Sequence, residues 1–338
     1  MATHSVPRRD FTHLADVMPR PPILSRWERV RHRQVHWLAE CVAEATGVFL
    51  YVFAGVGATV PYTIGNILGE PGLSTLFTIG WAYALGIALA IIICSPTSGG
   101  NFNPAVTISF VLFRKMSKRK AARYIVAQIL GGYIACLVVY LQYRHLILEA
   151  QALLASKGTL ESTLFTPSGP AGIFALYVSP GSSLGQVFFS EFVCDFVLGL
   201  VIWASLDPTN FLVPPSASPW VIALTYAMTI WGFVPVGLSA NTARDLGGRF
   251  MALTIWGRAA SGGSYAAIAA LTNIPATICA VLFYEFWLAD SSRVVTPIHL
   301  DFLAGHEAHI EHGAQMSIMT STDSSADNKG RIEMFERA

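Results

Sequence analysis

Charge is what this chain has least of. Asp, Glu, Lys and Arg make up 13% of its 338 residues, about half the share near 25% of an average soluble domain. The net charge is +1 at neutral pH, so there is no field that would gather nucleic acid or another polyanion. Cysteine is also scarce. Cys41, Cys94, Cys136, Cys194 and Cys279 each sit alone in an apolar run, without the spacing of a metal site or a disulfide framework, and read as small packing residues. No nucleophile–base set, metal-ligand cluster or phosphate-binding glycine loop stands out. Neither an enzyme nor a bound cofactor is therefore expected. The first 33 residues lack an early apolar stretch, which argues against a signal peptide.

Apolar residues fill the space that charge leaves, at 53% of the chain with a mean hydropathy of +0.50. Six runs, near 36–60, 75–96, 121–144, 184–206, 219–237 and 264–289, approach or exceed the roughly 20 residues that cross a bilayer core. Two shorter segments, 103–113 and 241–256, reach only partway, because ten helical residues span about 15 Å. The expectation is an all-α membrane protein with six transmembrane helices and two re-entrant half-helices.

Of the 22 Lys and Arg, seven lie in residues 8–33 and six in 114–123. The positive-inside rule puts both stretches in the cytoplasm. The first half-helix then enters and leaves on the cytoplasmic side, and the second enters from outside. The chain divides into a basic amino-terminal tail, 1–35, a channel body, 36–290, and a cytoplasmic carboxy-terminal tail, 291–338. Within the body, 36–144 and 184–290 look like repeats joined by an extracellular connection, 145–183. Ala43-Glu44 opens one repeat and Ser190-Glu191 the other. Three crossings separate them, so the repeat is inverted, and broken helices in inverted repeats commonly mark a conduction or transport site.

SGGNFNPAVT (98–107) and LSANTARDLG (238–247) end two of the apolar runs. Asn caps a helix through its side-chain oxygen, and Pro suits the first helical position. The Asn amide hydrogens are left to face a cavity, beside the partial positive charge of a helix amino terminus. Two such ends at mid-membrane would favour neutral hydroxylic solutes and oppose cations and protons. Arg244, three residues after Asn241, must face water or a partner. Asp245 and Arg249 have the spacing of a helical ion pair, read equally as structural or functional. Glu44 and Glu191 are matched membrane acids, expected to accept hydrogen bonds from the re-entrant backbones rather than to relay protons. Asp195 is expected to join the Glu191 network. His306, His309 and His312 read as one face of a tail helix rather than a metal site, and the hydroxyls of 317–325 as candidate phosphorylation sites.

These motifs resemble the major intrinsic protein family, the aquaporins and aquaglyceroporins, over about 36–290. Asn103-Pro104-Ala105 is similar to the first family signature. Asn241-Thr242-Ala243 with Arg244 is similar to the second, with Thr242 in place of its Pro. Gln128 followed by Gly131-Gly132 resembles the third-helix pattern. The resemblance implies a pore in each subunit of a homotetramer. Three features resemble the glycerol-conducting branch. These are Asp245 with Arg249, the loop GIFALYVSP (172–180), and a selectivity filter carried over as Tyr83, Thr229, Leu238 and Arg244, in which Thr229 stands where water-only members usually have His. Asn101, Gly248 and the pair near Leu271-Thr272 depart from that branch.

The resulting expectation is a passive channel for glycerol and other small neutral solutes, with some water, that excludes ions and protons. It is expected to be multi-pass in the plasma membrane with both termini cytoplasmic. The alternatives are a water- or hydrogen-peroxide-selective pore and, from a different class, an ion-coupled secondary transporter.

Overall fold

A computed structural model describes residues 20–70, 72–290, 295–305 and 307. Arg8, Arg9, the three tail histidines and the hydroxyls of 317–325 lie outside them. Among the described residues there is no strand, and six helices are long and apolar enough to cross a membrane: His36–Leu68, Leu76–Ser98, Lys118–Ser156, Leu184–Ser205, Ser218–Val236 and Tyr265–Leu288. Pro104–Phe113 and Thr242–Trp256 are the half-helices. The protein therefore has the expected membrane fold. Its outer surface agrees with lipid as solvent. Val126, Leu130, Ile134 and Leu141 project from one side of the third span, and Leu85, Leu89, Ile92 and Ile93 from the second, an apolar exposure too continuous for water.

The helices start and stop for local reasons. The Thr75 hydroxyl accepts from the Thr78 N–H at 3.2 Å to open the second span, and Gly99, at φ 89°, ends it in the left-handed region that glycine adopts without strain. The sixth span is interrupted at Thr272, between Tyr265–Leu271 and Asn273–Phe283. Pro275 has no N–H to offer the Leu271 carbonyl, which loosens the ladder there.

The inverted repeat is visible in the packing. The third span, from the first repeat, lies against the second half-helix, and the sixth, from the second repeat, lies against the first half-helix. The second span packs on the fifth and the fourth on the sixth. Glycines set the closest approaches, as expected where lipid supplies no hydrophobic drive between helices. A Cβ on Gly131 would collide with the Ala45 carbonyl of the first span, and one on Gly247 would lie 2.6 Å from the Tyr133 backbone nitrogen. The carboxy-terminal end of the first half-helix is anchored by Phe110 and Phe113, both edge-on to Trp203.

These helices belong to one compact unit, Glu40–Ser291. The described residues 20–39, 295–305 and 307 fall in another. That second unit contains the helix Pro22–Val30, in which Arg20 pairs with Glu28 at 3.0 Å, and a helical stretch over 297–305.

A side chain at Gly131 should force the first and third spans apart. Gly131→Leu is expected to destabilise the detergent-solubilised protein by about 1–3 kcal/mol. Gly57→Ala, where a Cβ meets nothing within 4 Å, should leave the thermal midpoint unchanged or slightly raised. Equal midpoints for the two variants would refute the close-approach argument.

Candidate pore and its lining

Both Asn turns are built on one plan. Asn103 has φ −149° and ψ 128°, and Asn241 has φ −160° and ψ 117°. The Asn103 side-chain oxygen accepts from the Ala105 N–H at 2.9 Å. The Asn241 oxygen accepts from Ala243 N–H at 2.8 Å and Arg244 N–H at 3.2 Å. Thr242 in place of Pro therefore leaves the cap intact. Its own hydroxyl is buried without a partner.

The residue before each Asn is left-handed and is not glycine: Phe102 at φ 50° and Ala240 at φ 58°. Such a conformation costs on the order of 1 kcal/mol. Buried carboxylates hold it in place. Glu44 accepts from the N–H groups of Asn101 (3.0 Å) and Phe102 (2.8 Å), the Ser98 hydroxyl (2.7 Å) and the Gln128 amide (2.7 Å). Glu191 accepts from the N–H groups of Ser239 (2.7 Å) and Ala240 (2.8 Å). The backbone-holding reading of these acids is therefore the one their contacts support. Asp195 is also buried, but both its carboxyl oxygens lack a hydrogen-bond partner, so no bond joins it to Glu191 as the sequence led one to expect.

The strained residues turn their carbonyls toward the other loop. The Asn241 amide donates to the Phe102 carbonyl at 2.9 Å, and the Asn103 amide approaches the Ala240 carbonyl at 3.5 Å. Of the two hydrogens on each amide, one is thus spent on the opposite loop, so the sequence-based expectation of two free donors per Asn is corrected to one.

Four residues after each Asn the repeats diverge. Thr107 accepts from the Gln128 amide at 3.0 Å and the Asn101 amide at 3.3 Å. At the matching place Asp245 pairs with Arg249 through both oxygens, at 2.6 and 3.2 Å. Arg249 also donates to the carbonyls of Leu176 and Ser261, each at 3.1 Å. The pair is a staple that ties the 170–179 segment and the turn Gly257–Ser261 to the second half-helix. Tyr177 belongs to the same seat and donates to the Ala260 carbonyl at 2.9 Å. Burial pushes its phenol up to about 12, against the opposing pull of Arg249, so it remains a neutral donor.

That seat positions Arg244. Its Nη1 donates to the Phe174 carbonyl at 2.6 Å and its Nε to the Tyr83 hydroxyl at 3.2 Å. Gly248 makes the first bond possible, because a Cβ there would overlap the Phe174 carbonyl.

A cavity of about 340 Å³ runs from the 167–179 segment to Asn241. Tyr83, Leu238 and Arg244 line it together, and among the described residues no Asp or Glu does. Thr229 is not among its lining residues. It is buried in the fifth span and donates to the Tyr226 carbonyl at 2.9 Å. The fifth span instead presents Tyr226 and Ile230, one helical turn apart. Tyr51 of the first span also faces the cavity, with a buried hydroxyl that has no partner. Sequence reasoning missed all three. The usable signal for two of them was the four-residue spacing of Tyr226 and Ile230.

Comparison with known proteins agrees with this geometry. A family model described as "Major intrinsic protein" matches residues 31–286. The chain is 54% identical over 320 residues to "Aquaporin-3" of Laccaria bicolor, covering 93% of this chain and 97% of the relative. It is 32% identical over 229 residues to "Glycerol uptake facilitator protein" of Haemophilus influenzae, covering 67% and 83%. The aquaglyceroporin structure from Plasmodium falciparum superposes with a TM-score of 0.62 at 23% identity, covering 75% of this chain and 97% of that one, and supports the fold.

Restoring Pro at the second turn should help stability. Asn241 already has the extended backbone that a following Pro demands. Thr242→Pro would also remove a buried unpartnered hydroxyl. It is expected to stabilise the solubilised protein by about 0.4–1 kcal/mol, read as a higher thermal midpoint. A lower midpoint would mean that the Thr242 N–H or hydroxyl has a stabilising role.

Proposed function

This chain belongs to the major intrinsic protein family, whose members are passive channels, and we propose that it conducts glycerol and other small neutral solutes, with some water, while excluding ions and protons. The observation that carries the solute assignment is the lining of the cavity. Tyr83, Ile230 and Leu238 offer apolar surface to a carbon backbone, and Arg244 is the guanidinium beside them. Among the described residues no histidine lines this cavity. We take the filter to be Tyr83, Ile230, Leu238 and Arg244.

In this reading a polyol sheds water against the apolar side and regains hydrogen bonds from the Arg244 N–H groups that Tyr83 and Phe174 leave free. It then meets one free N–H on each of Asn103 and Asn241. The amino-terminal ends of both half-helices face the same point, and their partial positive charge opposes cations. A bound Arg244 adds to that barrier. Asp245 and Arg249 are the staple that keeps Arg244 in place and need not touch solute. The basic stretches support a plasma-membrane orientation with both termini cytoplasmic, and the family supports a homotetramer.

A water- or peroxide-selective pore is the second reading, favoured by the Tyr226 ring in the lumen. Ion coupling has little to act through. Glu44 and Glu191 are engaged by the re-entrant backbones, and among the described residues no carboxylate lines the cavity.

Stopped-flow light scattering on proteoliposomes tests the assignment. Wild type is expected to pass glycerol well above empty vesicles. Ile230→His should cut glycerol relative to water by at least about tenfold, the effect of roughly 1.4 kcal/mol of added barrier. Thr229→His should disturb stability more than selectivity. Fast water with no glycerol in wild type would establish the second reading instead.

A further inference from the structure

Ahead of the first span stands a helix with an uncovered apolar face. Pro22–Val30 buries none of its residues. Ile23, Trp27 and Val30 recur at i, i+4 and i+7 with Leu24 beside Ile23, which gathers all four on one side of an α-helix. Each is exposed, Ile23 by 76% and Trp27 by 55%. Ser25, Arg26, Glu28 and Arg29 take the rest of the circumference. In a chain poor in charge, residues 20–35 hold five arginines, Arg20, Arg26, Arg29, Arg31 and Arg33, against one acid, Glu28. Arg20 already pairs with that acid at 3.0 Å, so the later arginines carry a positive surplus. A helix of nine residues is marginal in water by itself, and water is a poor cover for Ile, Leu and Trp together. Its place in the chain says what cover is at hand. His36, where the first membrane span begins, follows Val30 by six residues, roughly 9 Å of helix. Between them the ladder widens to a π-helix over Arg31–Val35, a place where helices bend. The apolar face is thus tethered near the level of the lipid headgroups, where a Trp among arginines is favoured.

We propose that Pro22–Val30 is an interfacial helix that docks on anionic phospholipid. Ile23, Leu24, Trp27 and Val30 sink between the headgroups, and the arginines reach along the surface to lipid phosphates and carboxylates. Positive surplus on the helix complements the negative surface of the cytoplasmic leaflet. The choice of leaflet rests on the orientation read from the basic stretches. The site adds a lipid requirement to the channel and is independent of which solute passes.

Hydrogen exchange of the full-length protein in nanodiscs tests this. One set of discs is phosphatidylcholine alone, and the other contains phosphatidylserine as well. The amides of residues 23–35 are expected to exchange at least about tenfold more slowly in the anionic discs. The difference should shrink at high salt, which screens the headgroup charge. Arg26→Gln combined with Arg29→Gln should remove the difference between the two lipids. Trp27→Ser should speed exchange in the anionic discs, while unchanged protection of the spans shows that each variant is folded. Equal exchange of wild type in both lipids would overturn the proposal. If Trp27→Ser then sped exchange equally in both, the apolar face would be covered by protein instead. Slow exchange in anionic discs from a protein that passes no glycerol would support the lipid site and count against the solute assignment alone.

Discussion

The structure turns on one crossed contact. Each re-entrant loop lends a carbonyl to the other loop's asparagine, from Phe102 to Asn241 and from Ala240 to Asn103. Those carbonyls point correctly only because Phe102 and Ala240 are left-handed, and those conformations persist because Glu44 and Glu191 bind the neighbouring N–H groups. A carboxylate in the middle of a membrane is expensive, and an unsatisfied backbone N–H there is expensive as well. Bringing the two together removes both penalties. Two buried acids in a low-charge chain thus become structural necessities of a broken helix, and no proton relay is needed to explain them.

The two repeats solve the next problem differently. The first seats its half-helix with neutral partners, Thr107 and Gln128. The second uses an ion pair, Asp245 with Arg249, and two further guanidinium hydrogens go to the carbonyls of Leu176 and Ser261. A buried pair with four of the five guanidinium hydrogens bonded avoids much of the desolvation penalty that an isolated charge would carry. The return is positional. The 170–179 segment is held where the Phe174 carbonyl can take the Arg244 Nη1, and Gly248 leaves room for it. An arginine that would otherwise sweep across the lumen is fixed to its side.

Much of this was legible in sequence, because the relevant physics is local. Apolar run length gave the spans, and the Asn turns at 103 and 241 gave the starts of the half-helices. Matched acids gave the supports. Gln128 with Gly131 and Gly132 was legible only through the family resemblance. The fifth span was harder to place. Counting twelve residues back from Asn241 leads to Thr229, but the intervening chain passes through the 3₁₀ turn Val234–Val236 and Gly237 at φ 115°. A 3₁₀ turn advances about 3.0 residues per turn where an α-helix advances 3.6, so a fixed count cannot carry the helical phase across it. The lumen therefore receives Ile230 and Tyr226. Contacts across the repeats, such as Arg249 to Leu176, were out of reach of spacing arguments altogether.

The crossed contact also limits what the asparagines can do. Four amide hydrogens would make a generous polar floor, but two are consumed in holding the loops together. The remaining pair can satisfy a single solute oxygen. Discrimination by the asparagines alone is correspondingly weak, since any small molecule with one acceptor meets the requirement. In the proposed reading, selection comes from the groups that fix width and the cost of losing water: the Tyr83, Ile230 and Leu238 walls with Arg244 on one side. A loop pairing that makes the membrane-spanning break possible thereby shifts chemical choice outward to residues that can vary without endangering the fold.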